Sequence, residues 1–436
     1  MGKEQKGGGL VLGAFSAVAF LLLLTFFCSS VLDVNPLESW KDQLSYLRDG
    51  FSSKNGGNDI EEVYVEPLYF LLERLVRGDD KIQLNTTGFS CQSEVCVASK
   101  PVRIDNNALT VYIPTSGSRI DRVIKPYVDK LARNQVSSVR IVTGDSDHSP
   151  ACHFTHDVPA VVFSSGGFAG NLFHEMDEII IPLFITSRHF QSRVKFVITD
   201  YKAWWVSKYS RILENLSGFE VINPETNGGV HCFPGGVVGL KFHGFLALNI
   251  TDIPGGYSMY DFKHFLRESY NLRFNNVSKI ERGKKPRLML ISRQNSRVFL
   301  NEEEMVVMME ELGFEVIRPR PNRMSNLGKF AEELVPLGLD WASTYYFGIP
   351  AIEMGVNYLE YKIEPEESSL LETYGRNHPI VNDPESIYAK GYFAFRAVYV
   401  DGQNLKVNVG RFRETLVQAM ELIGQSNPPL AAPPLA

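Results

Sequence analysis

His174 and Glu178 stand four residues apart in the run GGFAGNLFHEMDEIIIPLF, which spans Gly166 to Phe184. On a helix this spacing puts both side chains on one face, where a carboxylate can orient an imidazole and raise its basicity. An imidazole held in this way can take the proton from a hydroxyl during group transfer, and a carboxylate can do the same. Asp177 adjoins Glu178 and would exchange places with it if the helix register moved by one residue. Gly166, Gly167 and Gly170 let the backbone approach a ligand closely, and Asn171 stands where the helix should begin. The same spacing also suits a capped surface helix with one polar pair, so spacing alone leaves both readings open.

A second cluster lies in LMLISRQNSRVFLNEEE, where Ser292, Arg293, Ser296 and Arg297 follow an apolar run and precede an acidic helix. The passage from a parallel strand to a helix is where open α/β sheets bind ligands, and a guanidinium fork pairs two oxygens of a diphosphate at once. The competing reading is a pair of solvated arginines answering Glu302 to Glu304. Asp145-Ser146-Asp147 could hold a divalent cation against a nucleotide diphosphate. Its setting, TGDSDHSP, reads more simply as a polar turn. Dinucleotide, P-loop and α/β-hydrolase signatures are absent from the sequence, as are paired CxxC or His/Cys patterns for zinc.

The elements that must position these residues alternate between short apolar strands and helical stretches. Strand candidates are TVYI near Val111, VRIV ending at Val142, AVVF ending at Phe163, KFVIT ending at Thr199 and VVGL ending at Leu240. IDRVIKPYVDKLARN and NLFHEMDEIIIPLFITSRHF read as helices between them, so parallel sheets covered by helices are expected. After the basic linker ERGKKPR, RLMLIS reads as a buried strand, Asn301 as the cap of the helix EEEMVVMMEELG, and FEVIRP as the next strand, together one βαβ unit. VPLGLDWASTYYFGIP then supplies neither a strand nor a glycine-rich turn where the following unit should stand. A final helix is expected over about Arg411 to Ile423.

A chain of 436 residues suits two α/β domains behind a short non-globular segment, and 44% hydrophobic with 22% charged residues is a composition that folds. The net charge of -6 argues against a nucleic-acid partner, which would require a basic surplus. From Gly7 to Leu32 no residue is charged, and the stretch is long enough to cross a bilayer; Lys3 and Lys6 favour a cytoplasmic N-terminus. Asn85, Asn215, Asn249 and Asn276 each open an N-glycosylation sequon. With Cys28 in the apolar stretch, Cys91, Cys96, Cys152 and Cys232 form an even set suited to an oxidising compartment, with three pairings open.

From about Ser90 to Gly424 the sequence resembles the plant branch of family 61 glycosyltransferases, which includes xylan arabinosyltransferases and xylosyltransferases. GNLFHEMDEIIIPLF is similar to the family's Gly-Asn-x-aromatic-His segment, and KPRLMLISRQNSRVFLNEEE to its Ile-Ser-Arg element. PLGLDWASTYYFG, MGVNYLEYKIEPEESSLLETYGRNHP and KGYFAFRAVYVDGQNLKVNVGRFRETL extend the likeness. The resemblance implies two Rossmann-like domains of GT-B type, a UDP-sugar donor, a polysaccharide or glycan acceptor, inversion at the anomeric carbon, and a type II Golgi anchor. It implies no dependence on a metal site, and the possibility of complexes with other Golgi transferases. The expected division is a tail at 1–7, an anchor at 8–32, a stem at 33–80, an acceptor domain at 81–283, a nucleotide-sugar domain at 284–424 and a disordered tail at 425–436. His174, Glu178 and Asp177 become the candidate acid/base residues, with Gly170 and Asn171 beside them. Ser292, Arg293, Ser296 and Arg297 become donor-side contacts.

In one place the chain departs from the family. Where the family carries a segment of the type Gly-Ala-His-Gly-Ala-Gly-Leu-Thr-Asn between two strands, Leu334-Val335-Pro336 runs straight across. A piece of roughly 30 residues, the size of a βαβ unit, is missing. This predicts an incomplete C-terminal domain and opens a rival reading, a catalytically impaired protein that binds glycans or partners another transferase. A third reading is a metal-dependent transferase using Asp145 and Asp147.

Overall fold

The computed structural model describes residues 67–91, 95–115, 119–128, 132–144, 149–271, 285–290, 296–318, 359 and 361–424. All fall in the unit Glu66–Ala436. Helices α1 (Leu68–Glu73) and α2 (Gly78–Thr87) precede strands β1 (Phe89–Ser90), β2 (Cys96–Ala98), β3 (Val102–Asp105), β4 (Thr110–Pro114), β5 (Asp121–Ile124), β6 (Val139–Gly144) and β7 (Phe154–Thr155). β8 (Ala160–Ser164), β9 (Lys195–Thr199), β10 (Val230–Phe233) and β11 (Gly236–Val238) complete two sheets.

The first sheet runs β1-β2-β11-β8-β9 and the second β5-β6-β4-β3-β10-β7. In the first, β11, β8 and β9 are parallel while β1 and β2 join antiparallel. Side chains alternate across a strand with a period of two, and this sheet uses both faces. Ala160, Val162, Val197 and Val238 meet Ile104, Val111, Ile113 and Ile141 of the second sheet in one apolar cluster. Val161, Phe163, Phe196, Ile198 and Val237 point the other way, into a cluster with the helices. A strand buried on both faces has to be apolar throughout, which is why AVVF and FVI carry no polar break. β6 has one face on solvent and alternates, with Val139 and Ile141 buried and Arg140 exposed.

The result is a helix layer, a mixed sheet and a second mixed sheet, where parallel sheets covered by helices were expected. The difference begins at IDRVIKPYVDKLARN, read from sequence as a helix. Asp121–Ile124 is instead β5, antiparallel to β6, with Asp121 paired to Arg140 across the strands. Pro126 has no amide hydrogen and its ring collides with a preceding helical turn, so no helix crosses it. Among the described residues of this stretch, Arg133–Gln135 forms a single 3-10 turn.

The helix layer holds the expected segment 172–190, made of α3 (Leu172–Glu175), a π turn (Met176–Ile180), α4 (Ile181–Ser187) and a 3-10 turn (Arg188–Phe190). Beside it pack α5 (Ala203–Lys208), α6 (Ser210–Leu216) and α7 (Met259–Ser269) through Trp205, Leu213, Phe262 and Phe265. Two disulfides, Cys91–Cys96 and Cys152–Cys232, resolve the pairing. The first closes a short loop and the second ties residues 80 apart, holding β7 to β10.

Further along, β12 (Arg287–Met289), α8 (Glu302–Glu311) and β13 (Glu315–Ile317) form the expected βαβ unit with parallel strands. Short helices α9 (Ser369–Tyr374), α10 (Pro379–Asn382), α11 (Pro384–Tyr388) and α12 (Tyr392–Phe395) follow, then α13 (Val409–Gly424). Leu288, Met305, Met309, Phe314, Phe412 and Leu416 make the core of this part. Asn301 stands at the start of α8 without a side-chain cap bond. Its amide instead accepts from Val407 N at 3.0 Å and donates to Val407 O at 2.9 Å, so it joins two segments where the sequence suggested a helix cap.

The expected anchor at 8–32, residues 33–66 of the expected stem at 33–80, the tail at 425–436 and the junction at Val335 lie outside the described residues, while 67–80 of that stem hold α1 and the start of α2. Among the described residues no helix is long and apolar enough to cross a membrane.

Glu367 is the buried ionic centre of the later part, 3% exposed. It accepts from Tyr361 Oη, Glu364 N, Asn408 N and Arg411 Nη1. Burial alone would raise its pKa, but these hydrogen bonds and the Arg411 charge outweigh burial and hold the carboxyl below its usual range. Its contribution is therefore present above the unfolded value of about 4.3 and is lost as pH falls through the lower folded value. Glu367→Gln should cost about 1–3 kcal/mol at neutral pH, because an amide turns donors toward donors. Urea unfolding of parent and variant should show the gap closing below about pH 4; a gap unchanged down to pH 3 would contradict the assignment.

Candidate active site

Strands β8 and β9 are parallel neighbours, and their carboxyl ends open onto the glycine turn 165–170. Asp200, at the end of β9, accepts from Ser164 Oγ and Ser137 Oγ, both at 2.6 Å, and fixes that edge. Gly166 N donates to Ser164 Oγ at 2.9 Å. Gly167 has φ +59°, and a Cβ there would lie 2.3 Å from Cζ of Tyr127, so position and neighbour together require glycine. Asn171 caps the helix, its side chain accepting from Phe173 N at 3.1 Å. The backbone then widens into the π turn at Met176–Ile180, a form that recurs at functional sites.

Three carboxylates of this segment are buried, Glu175 at 0% and Asp177 and Glu178 each at 1% exposure, and each has its own donors. Glu175 accepts from Gly170 N at 3.0 Å, Tyr209 Oη at 2.7 Å and Lys208 Nζ. Burial, followed by the Glu175 charge, pushes the Tyr209 phenol up, so it stays a donor. Asp177 accepts from Leu246 N and faces the loop after β11. Glu178 accepts from Tyr127 Oη through one oxygen and bonds His174 Nδ1 through the other. Tyr127 Oη also accepts from Phe168 N at 3.1 Å, tying the turn to the same group.

His174 thus pairs with Glu178, and Asp177 is turned elsewhere. The imidazole is 21% exposed at its side chain and lies between the rings of Phe168 and Phe173, with centroids 4.6 and 5.3 Å away. A carboxylate on Nδ1 places the ring hydrogen there and leaves Nε2 as an acceptor. The arrangement can take a proton at Nε2 while the buried carboxylate stabilises the imidazolium that forms.

Ser296 and Arg297 lie on a bend before β-like pairing of Phe299 with Leu405. Arg297 has φ +52° and its amide donates to Gln403 O at 2.6 Å, while Val298 N donates to Asn404 Oδ1 at 3.0 Å. Ser292, Arg293, Asn276, Asp145 and Asp147 lie outside the described residues. Asn85, Asn215 and Asn249 are exposed, and the Thr251 hydroxyl donates to Asn249 Oδ1 at 2.8 Å. Glu175, Tyr127, Lys208 and Tyr209 were not singled out from sequence. Tyr127 lay within the segment read as a helix, and Lys208 and Tyr209 reach the site only through the packing of α5 and α6.

Glu175→Ala would leave Lys208 and Gly170 N facing the site without their acceptor. Losing one partner of a buried ion pair costs about 3–5 kcal/mol. Urea unfolding should show a loss of that order, with Glu175→Gln losing less because one acceptor oxygen remains. A loss under 1 kcal/mol from the alanine variant would show that the turn does not depend on this carboxylate.

No protein-family model matches the chain. It is 37% identical over 366 residues to an alpha-1,3-arabinosyltransferase of Oryza sativa subsp. japonica, a match covering 76% of this chain and 64% of that protein. It is 32% identical over 394 residues to a xylan glycosyltransferase of Arabidopsis thaliana, covering 78% of this chain and 79% of that one. A beta-1,2-xylosyltransferase of the same rice is 34% identical over 317 residues, covering 66% and 68%. The chain spans a little under two thirds of the rice arabinosyltransferase and nearly four fifths of the Arabidopsis protein. On these likenesses, the chain belongs to the plant branch of family 61 glycosyltransferases, the group of xylan arabinosyl- and xylosyltransferases.

Proposed function

We propose that this protein transfers a pentose, arabinofuranose or xylose, from its UDP form to xylan or a related glycan, with inversion at the anomeric carbon. The observation that carries the chemistry is the His174–Glu178–Tyr127 constellation at the carboxyl ends of β8 and β9. The relatives' names supply the substrate class. In the reaction, Nε2 of His174 takes the proton from an acceptor hydroxyl. The hydroxyl oxygen attacks the anomeric carbon on the face opposite UDP, and the bond to UDP breaks with its electron pair on the phosphate. Glu178 holds the charged imidazole in place.

In this reading residues 81–283 serve the acceptor and residues 284–424 the nucleotide-sugar, as in a GT-B enzyme, with Arg293 and Arg297 on the donor side. A type II anchor at 8–32 would set the body in the Golgi lumen. The exposed sequons at Asn85, Asn215 and Asn249 and the two disulfides support a secretory compartment.

Transfer from UDP-xylose and UDP-arabinofuranose to xylo-oligosaccharides is the direct test. His174→Ala should lower kcat about 10²–10⁴-fold, the usual worth of a general base. An alanine variant within a few-fold of the parent would place the base elsewhere, and a parent inactive with every UDP-pentose would remove the reading. Because the chain passes from Leu334 to Pro336 without the family's glycine-rich segment, donor binding needs its own measurement. UDP at 100 times its Kd should stabilise the parent by about 2.7 kcal/mol, seen as a rise in Tm. No rise would favour a glycan-binding partner protein over a working transferase.

A further inference from the structure

A cleft of about 390 Å³ has Tyr127 in its wall. That volume falls within the range of small-molecule sites. Tyr127 donates to Glu178, and Glu178 holds His174, so two hydrogen bonds separate the cleft wall from the imidazole. Across the cleft stands the loop after β11, which contributes Leu240, Lys241 and Phe242.

This loop is held firmly from several sides. Buried Asp177 accepts from Leu246 N, and Lys241 N donates to Thr186 Oγ1 at 2.9 Å. Lys241 Nζ donates to Asp252 at 3.0 Å, and His243 lies 3.2 Å from the same carboxylate. On this fixed loop Phe242 is 38% exposed and Phe245 60% exposed, their rings 6.2 Å apart and nearly perpendicular. Phe242, exposed on an anchored loop in the cleft wall, is an apolar surface kept in place against its own burial.

The chemistry of the wall selects the occupant. Arg77, Lys125 and Lys241 line the cleft together with Asp80 and Asp252, and Arg77 and Lys241 both face Asp252, at 3.9 and 3.0 Å. The wall therefore offers carboxylate acceptors beside guanidinium and ammonium donors, a mixed set that neutral hydroxyls can pair with. The face of Phe242 carries the negative side of the ring quadrupole, which attracts the polarised C–H hydrogens on one face of a sugar ring. Polar donors and acceptors beside an aromatic face fit a neutral pyranose.

We propose that this cleft is the acceptor subsite, holding one neutral pyranose residue of the acceptor chain against Phe242, and that Asp177 is a positioning residue that fixes the loop carrying it. The proposal rests on the reading of the protein as a glycan-modifying transferase. Xylohexaose is the probe, with binding to the full-length chain followed by calorimetry and transfer followed separately. Phe242→Ala should raise the xylohexaose Kd, and the acceptor KM with it, by about tenfold, in line with loss of one aromatic contact. The Kd for UDP should stay at the parent value, and Phe242→Trp should restore xylohexaose binding. A parent that fails to bind xylohexaose, or an alanine variant that binds it as tightly as the parent, overturns the subsite. A variant that loses xylohexaose and UDP together also overturns it, since the change would then be structural. A parent that binds xylohexaose through Phe242 but transfers nothing to it keeps the subsite and removes the transferase reading. A parent that transfers with Phe242→Ala unchanged does the reverse.

Discussion

Three carboxylates within four positions of one helical segment cannot be buried unless each is given donors, because an unpaired buried charge is among the costliest groups a fold can hold. Glu175, Asp177 and Glu178 meet this constraint in three directions. Glu175 binds the glycine turn before it and α5 and α6 beside it; Asp177 binds the loop after β11; Glu178 binds Tyr127 and His174. The turn, the helix layer and two loops are therefore placed by one short stretch of sequence. The π turn makes the arrangement possible, since widening the helix by one residue spreads neighbouring side chains around its circumference.

The first sheet supplies the rigid base for this stretch. β8 has every residue buried, with Ala160 and Val162 on the second sheet and Val161 and Phe163 on the helices. A strand clamped on both faces cannot twist or slip by one residue without exchanging its two apolar sets. The turn that leaves its end therefore starts from a fixed point, and Gly167 under the Tyr127 ring allows the backbone to fold back closely there. Precision at His174 is inherited from packing some distance beneath it.

Much of this base was legible in the sequence because burial on two faces writes itself as continuous apolar runs. AVVF, KFVIT and VRIV appear as strands within a residue or two of where they were read, and the 172–190 helix and the later βαβ unit do likewise. The four-residue spacing of His174 and Glu178 was legible for the same reason, being a local property of a helix. What failed was tertiary. The second sheet replaced an expected helix layer because DRVI pairs with β6, a partner that periodicity within one segment cannot reveal. Asp177 and Glu178 could not be told apart because a π turn shifts register without altering composition. Tyr127 is 51 residues from Glu178 in sequence and carried no motif to mark it. Cysteine pairing stayed open until β2, β7 and β10 were placed.

Tyr127 connects the proton-transfer centre with the cleft, and its several contacts limit how it can respond. Its hydroxyl donates to Glu178 and accepts from Phe168 N, so both roles of the group are in use. Its ring lies over Gly167 so closely that no side chain could stand between them. A sugar hydroxyl meeting Tyr127 from the cleft side would draw on an oxygen that already helps balance the Glu178 charge. A hydroxyl donating to that oxygen would polarise Tyr127 as a donor, strengthen its bond to Glu178 and ease the pull of the carboxylate on the Nδ1 hydrogen of His174. In the proposed reaction, the cleft and the base are thus linked through one fixed side chain.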